Sequence, residues 1–169
     1  MNVRKLAVAV AGLALAGGLT ATQAVPAMAA KTDGPAVVQT NTLSADAALK
    51  IAEAVQKEAV KQKQRVTVAI VDRSGATRLI LKGDGAGPQT EESAKRKAFT
   101  AVSFGQPTSK LSSNQALAAI PGTLLLAGGV PVASGGAPIA GIGVGGAPSG
   151  DIDEAIANAG LQAVAGQLR

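Results

Sequence analysis

The sequence predicts an α+β fold: one antiparallel sheet, in a single domain, covered by helices. Three observations carry this reading. Two stretches with the three-and-four apolar spacing of a helix enclose a β-branched run, Val66–Val71, that turns back on itself. A later segment, Ile139–Gly145, alternates apolar residues with glycine, as a strand under a closely packed neighbour would. A third helical pattern follows Ser149, so helices and hairpins share one short chain.

Each element has a local reason. Ser44 is placed as an N-cap with Asp46 in the first turn, where the helix dipole favours an acid. Ala48, Ile51, Ala52, Val55 and Ala59 then form one apolar face of a helix reaching about Lys63. Val66–Val71 suits a strand, Asp72-Arg73-Ser74-Gly75 carries turn chemistry, and Ala76–Lys82 returns as its hairpin partner. Gly83–Pro88 resembles a phosphate-cradling loop, but no Gly-Lys-Ser/Thr follows and Pro88 removes a donor; a strand-to-helix connection is the plainer expectation.

Thr90 is placed as the cap of a second helix, with Glu91 and Glu92 at its positive end. Ala94, Ala98, Ala101 and Val102 give that helix a small-residue face for close packing, and Gly105 and Pro107 end it. Its cluster Lys95-Arg96-Lys97 reads either as a solvated face or as a surface for carboxylates, whether of a cofactor, an acidic partner or another subunit. A short helix is expected from Thr108 or Ser109 through Ala119, then a strand at Thr123–Leu126 and a short edge segment at Val130–Val132. The last helix is capped by Ser149, carries Asp151, Asp153 and Glu154 in its first turns, and has Ile152, Ile156, Ala159 and Ala163 on one face.

The N-terminus reads as a secretory signal rather than as fold. Arg4 and Lys5 precede an apolar stretch, Leu6–Leu19, too short for a comfortable membrane span, and Ala27-Met28-Ala29 offers small-x-small cleavage chemistry. The expected organisation is a signal over 1–29, a flexible arm over 30–42 and a folded domain over 43–169, with the product secreted and extracellular. The 169-residue chain contains no His, Cys, Tyr or Trp, and its two Met, Met1 and Met28, leave with the signal. Serine–histidine triads, His/Cys zinc sites, disulfides and thiolate chemistry are therefore excluded. The net charge of +5 is mild, and Phe99 and Phe104 are the sole aromatics, so no stacking platform for nucleic acid exists. Asp72, Asp84 and Glu92 are scattered in sequence and define no acid–base pair.

A set of short segments occurs in a telling order: Ala69-Ile70-Val71-Asp72, the Gly83–Gln89 loop, Lys97–Ala101, Pro107-Thr108-Ser109, Pro121-Gly122-Thr123, Gly128-Gly129-Val130-Pro131, Gly141–Val144 and Ala147–Asp151. In this ordered set the chain resembles the GlcG/HbpS-like family of haem-binding proteins, and within it the secreted actinobacterial branch that accompanies a two-component sensor kinase. The resemblance covers about residues 43–165. It implies a profilin-like antiparallel sheet flanked by helices, homo-oligomers including octamers, binding of haem (haem b), iron-linked redox sensing and a sensor-kinase ectodomain as partner. It also implies an alternative, a haem-degrading enzyme or one acting on an organic acid or corrinoid. By motif the family's threonine contact to haem iron falls on Thr123. A surface iron motif of two acids three apart would start at Glu92, but its second position here is Lys95.

Composition constrains any haem site independently. Haem iron is usually held by His, Cys, Met or Tyr. The mature chain has none, so an axial ligand must be a hydroxyl, a carboxylate, a lysine or water. Such a weak ligand predicts ferric-preferring, exchangeable haem held chiefly by apolar contact and propionate pairing.

Overall fold

The computed structural model describes residues 34–168, and the secretory-signal reading of 1–29 lies outside the described residues. Residues 34–42 are irregular and exposed. Asn41 donates to Ser134 Oγ and Thr42 accepts from Arg78. Gln39–Arg169 forms one compact unit. No described helix is long and apolar enough to cross a membrane.

The first helix, α1 (Ala45–Lys61), is capped by Ser44, whose hydroxyl accepts from Ala47 N–H, and its buried face is Ala48, Ile51, Ala52, Val55 and Ala59 as the spacing predicts. Strands β1 (Thr67–Asp72) and β2 (Thr77–Lys82) form the expected antiparallel hairpin, with a register irregularity after Ile70. Asp72 organises its turn: Oδ1 accepts from Ser74 N–H and hydroxyl and from Ala76 N–H. Arg73 reaches from the turn to the Val102 carbonyl, placing a cation at the negative end of the next helix.

That helix is α2 (Thr90–Phe104), ended by Gly105 in the left-handed conformation at φ 63°. Thr90 is not its cap. Gln89 holds the cap position without a side-chain bond, while Thr90 lies in the first turn, 1% exposed, sharing a 2.7 Å hydrogen bond with Thr67 Oγ1. The hydroxyl thus ties α2 to β1 instead of covering a free N–H. Strands β3 (Gly129–Ser134) and β4 (Ala137–Gly145) complete a sheet of order β2-β1-β4-β3, antiparallel throughout. Helix α3 (Gly150–Gln162) is capped by Ser149 as expected. Its buried stripe is Asp153, Ile156, Ala157 and Gly160, rotated from the predicted face, and Ala163 lies outside the helix.

The sheet has two unlike faces. Val66, Val68, Ile70, Ile142, Val144, Val130 and Val132 join α1 and α3 in the main core. The opposite face carries α2 on glycines: a Cβ at Gly141 would lie 2.1 Å from the Ala98 carbonyl oxygen, and one at Gly143 2.0 Å from that of Ala94. The alternating glycines of β4 thus exist so that a helix backbone can rest on the strand, the close approach that both the glycine pattern and the alanine face of α2 predict.

Two expectations fail between α2 and β3. The short helix is two separate 3₁₀ turns, Thr108–Leu111 and Gln115–Ala119. Thr123–Leu126 is irregular rather than a strand: α2 side chains take the Thr123 carbonyl and the Leu124 N–H, and the Thr123 N–H turns back to the Ile120 carbonyl.

Candidate functional site

The exposed side of α2 and the irregular segment beside it bring most of the sequence candidates together. Phe99, on α2, lies between two turns. Gly75 and Gly122 both have φ of +86°, and an added Cβ would meet the Phe99 ring at 3.4 and 3.3 Å. Their lack of side chains leaves the ring as the floor of a pocket of about 170 Å³, rimmed by Glu92, Lys95 and Arg96. Arg96 also lines a second hollow, of about 330 Å³, with Thr123, Leu124, Leu125 and Leu126. Leu126 and Ile120 are well exposed beside it.

Glu92 and Lys95 sit one turn apart and form an ion pair at 3.4 Å, with side chains 66% and 38% exposed. Such a pair contributes little to stability, but it occupies the Glu92 carboxylate. Among the described residues no group of three or more acidic side chains is placed to hold a metal ion.

Thr123 is 2% exposed. Its hydroxyl donates towards the Leu117 and Ile120 carbonyls at 2.8 and 2.9 Å. No described donor is directed at the hydroxyl oxygen. Its backbone is fixed separately: Arg96 donates to the Thr123 carbonyl, and Leu124 N–H donates to Thr100 Oγ1 at 2.8 Å.

This donor set fits a haem edge in kind. Lys95 and Arg96 suit carboxylates, Phe99 and the leucines suit an apolar face, and Thr123 Oγ1 is a buried oxygen donor.

Lys97 of the basic cluster is elsewhere. It is 2% exposed, and its Nζ donates to Asp153 Oδ2 at 2.7 Å and to the Val144 carbonyl at 2.9 Å. Asp153 Oδ1 accepts from Ala147 N–H. Burial pushes the Asp153 carboxyl above its ordinary range, while the Lys97 ammonium and the Ala147 amide pull it back. The pair bolts α2 to α3 around the end of the sheet, beside Gly128, where a Cβ would lie 2.7 Å from Nζ. Neighbouring Glu154 accepts from Ser109 N–H and hydroxyl and from Gly128 N–H, pinning both ends of the irregular segment. Reading Lys95-Arg96-Lys97 as one charged cluster misses this. The signal is positional: Lys97 lies three after Ala94 and four before Ala101, on the buried stripe.

Comparison with known proteins identifies the family. A family profile described as haem-degrading protein, HbpS-like, matches residues 43–162. No curated protein matches. A crystal structure of HbpS is 55% identical, with a TM-score of 0.74, over 76% of this chain and 94% of that one. A Streptomyces reticuli HbpS variant, with two glutamates three positions apart changed to aspartate, is 48% identical with a TM-score of 0.73, over 91% and 97%. The crystal structure of a PduOC:heme complex is 25% identical with a TM-score of 0.67, over 73% and 95%. With the fold, the ordered motifs and the profile in agreement, the chain belongs to the HbpS-like family.

Proposed function

We propose that this protein is exported and binds ferric haem exchangeably beside α2, as an accessory in haem- or iron-linked redox sensing through a membrane partner. The observation that carries this reading is the convergence of Lys95, Arg96, Phe99 and the Thr123 segment on one side of α2. Lys95 and Arg96 would pair with the propionates, and Phe99 and Leu124–Leu126 would contact the macrocycle. Thr123 Oγ1 would serve as oxygen donor, with Glu92 at the rim. Bound haem would supply a redox-active iron; the chain's own part is to hold and release it. The reading includes a homo-oligomer, an octamer by resemblance, and a sensor-kinase ectodomain as protein partner. Export rests on the Arg4–Ala29 pattern, and N-terminal sequencing of secreted protein should begin at Ala30.

The test is titration of residues 30–169 with ferric haem. A saturable Soret shift is expected, and Thr123→Ala should alter the ferric spectrum. No shift sinks the cofactor reading, whereas a shift untouched by Thr123→Ala sinks only the ligand. The profile's description favours a second reading, haem degradation. Reductant-dependent loss of the Soret band with product release would select it.

A further inference from the structure

We infer that Arg96 and Thr100 are positioning residues that fix Thr123 from α2, an inference that rests on Thr123 being the oxygen donor proposed above. Between the 3₁₀ turn ending at Ala119 and the start of β3 the chain has no helix or strand, so no ladder sets the place of Thr123. A turn bond from Thr123 N–H to the Ile120 carbonyl holds one side of the residue, and one peptide unit holds the other. The Thr123 carbonyl and the Leu124 N–H belong to the same peptide bond, and α2 takes both ends of it: Arg96 donates to the carbonyl, and Thr100 Oγ1 accepts the N–H.

The two side chains are four residues apart, so they project from the same side of α2, one turn apart. Thr100 is fully buried, and its hydroxyl proton is directed to the Arg96 carbonyl at 2.7 Å. That back-bond leaves the oxygen lone pairs to receive Leu124 N–H. A mid-helix threonine is an unfavoured choice on propensity alone, and here its hydroxyl has a definite task. The hydroxyl of Thr123 takes no part in this grip; it bonds the Leu117 and Ile120 carbonyls. The peptide can therefore hold its place whatever the hydroxyl contacts.

Two readouts test this. The first is amide exchange of Leu124 in the haem-free protein. Thr100→Val keeps the side-chain shape and removes the acceptor, and should speed exchange about five- to tenfold, the worth of one hydrogen bond; Thr100→Ser should restore protection. The second is the ferric-haem difference spectrum between wild type and Thr123→Ala. Compared at saturating haem, Thr100→Val and Arg96→Met should each abolish most of that difference, and Thr100→Ser should retain it. Unchanged Leu124 exchange in Thr100→Val, or a wild-type haem spectrum in both variants while Thr123→Ala differs, overturns the inference. If wild type and Thr123→Ala give the same haem spectrum, the donor role fails, and Leu124 exchange alone decides the positioning. Should Thr100→Val not fold, Arg96→Met and Thr100→Ser carry both readouts.

Discussion

Replacing Lys97 by methionine should be among the most damaging single changes in this protein. Methionine matches the aliphatic stem but leaves Asp153 buried, 3% exposed, without its cation. It also strips the Val144 carbonyl of the Nζ donor. Breaking a buried ion pair from one side costs about 3–5 kcal/mol. For a domain of this size that corresponds to a fall in Tm of ~10–20 °C. Thermal unfolding followed by far-ultraviolet circular dichroism is the assay, since the chain has no Trp or Tyr. The double variant Lys97→Met/Asp153→Leu removes both charges and should recover at least half the loss, because a hydrophobic substitute for a buried pair is often near neutral. pH gives a second arm. Burial already raises the Asp153 carboxyl, and without Lys97 the largest opposing influence is gone. A raised folded pKa means the folded state takes up the proton first, so stability rises as pH falls through that value towards the ordinary range of about 3.9. The Lys97→Met deficit should therefore shrink on acidification. A deficit below about 1 kcal/mol at neutral pH, or one that grows on acidification, refutes the bolt.

The remaining predictions are shorter. Gly143→Ala should cost about 3 kcal/mol or more by overpacking, since its Cβ would lie 2.0 Å from the Ala94 carbonyl oxygen; tolerance in a denaturant titration would show that α2 can lift off β4. Asp72→Ala should destabilise by about 1–2 kcal/mol through its lost turn bonds. The Ser74 hydroxyl, foremost, holds the Asp72 carboxyl below its usual value, so its contribution is present above about pH 3.9 and lost as pH falls through the lower folded value. The variant should show a flatter acid limb, and an equally steep one counts against this account. Lys95→Glu should free Glu92 from its ion pair and place two carboxylates one turn apart. Calorimetric titration should then show tighter iron binding than wild type, and equal affinity would mean that Lys95 does not govern this site.

What the sequence makes legible is whatever a single element decides for itself. The α1 face, the Asp72 turn, the Ser44 and Ser149 caps and the Gly105 stop all follow from local spacing and chemistry, and all are present. The alternating glycines of β4 could be read as room for the close approach of a helix or a ligand, and α2 is what fills it. What fails is decided between elements. Thr90 has the right chemistry for a cap, but a buried partner, Thr67, claims its hydroxyl. Thr123–Leu126 has an apolar composition suited to a strand, but Arg96 and Thr100 take the Thr123 carbonyl and the Leu124 N–H. Both side chains lie more than twenty residues away in sequence, out of reach of any local pattern. The candidate site was legible in composition, through the missing iron ligands, and only partly in place.

The basic triplet shows how one helix can give adjacent residues different physical roles. Successive residues on α2 are about 100° apart, so Lys95, Arg96 and Lys97 point in three directions. Lys95 points to solvent and neutralises Glu92, turning a would-be acidic pair into a zwitterionic rim. Arg96 points sideways, between two hollows, and grips the Thr123 carbonyl. Lys97 points inward and holds α3 through Asp153. The last two contacts are joined by a continuous line of hydrogen bonds and chain. Lys97 and Asp153 set where α3 stands, Glu154 on α3 holds Ser109 and Gly128, and between those two residues runs the segment that Arg96 and Thr100 clamp at Thr123. Loss of the buried pair should thus reach the candidate site through Glu154, whereas a change at Lys95 should stay local. Thr123-dependent haem spectra in Lys97→Met test this, and an unchanged Thr123 dependence in the folded Lys97→Met variant would break the proposed line from core to site.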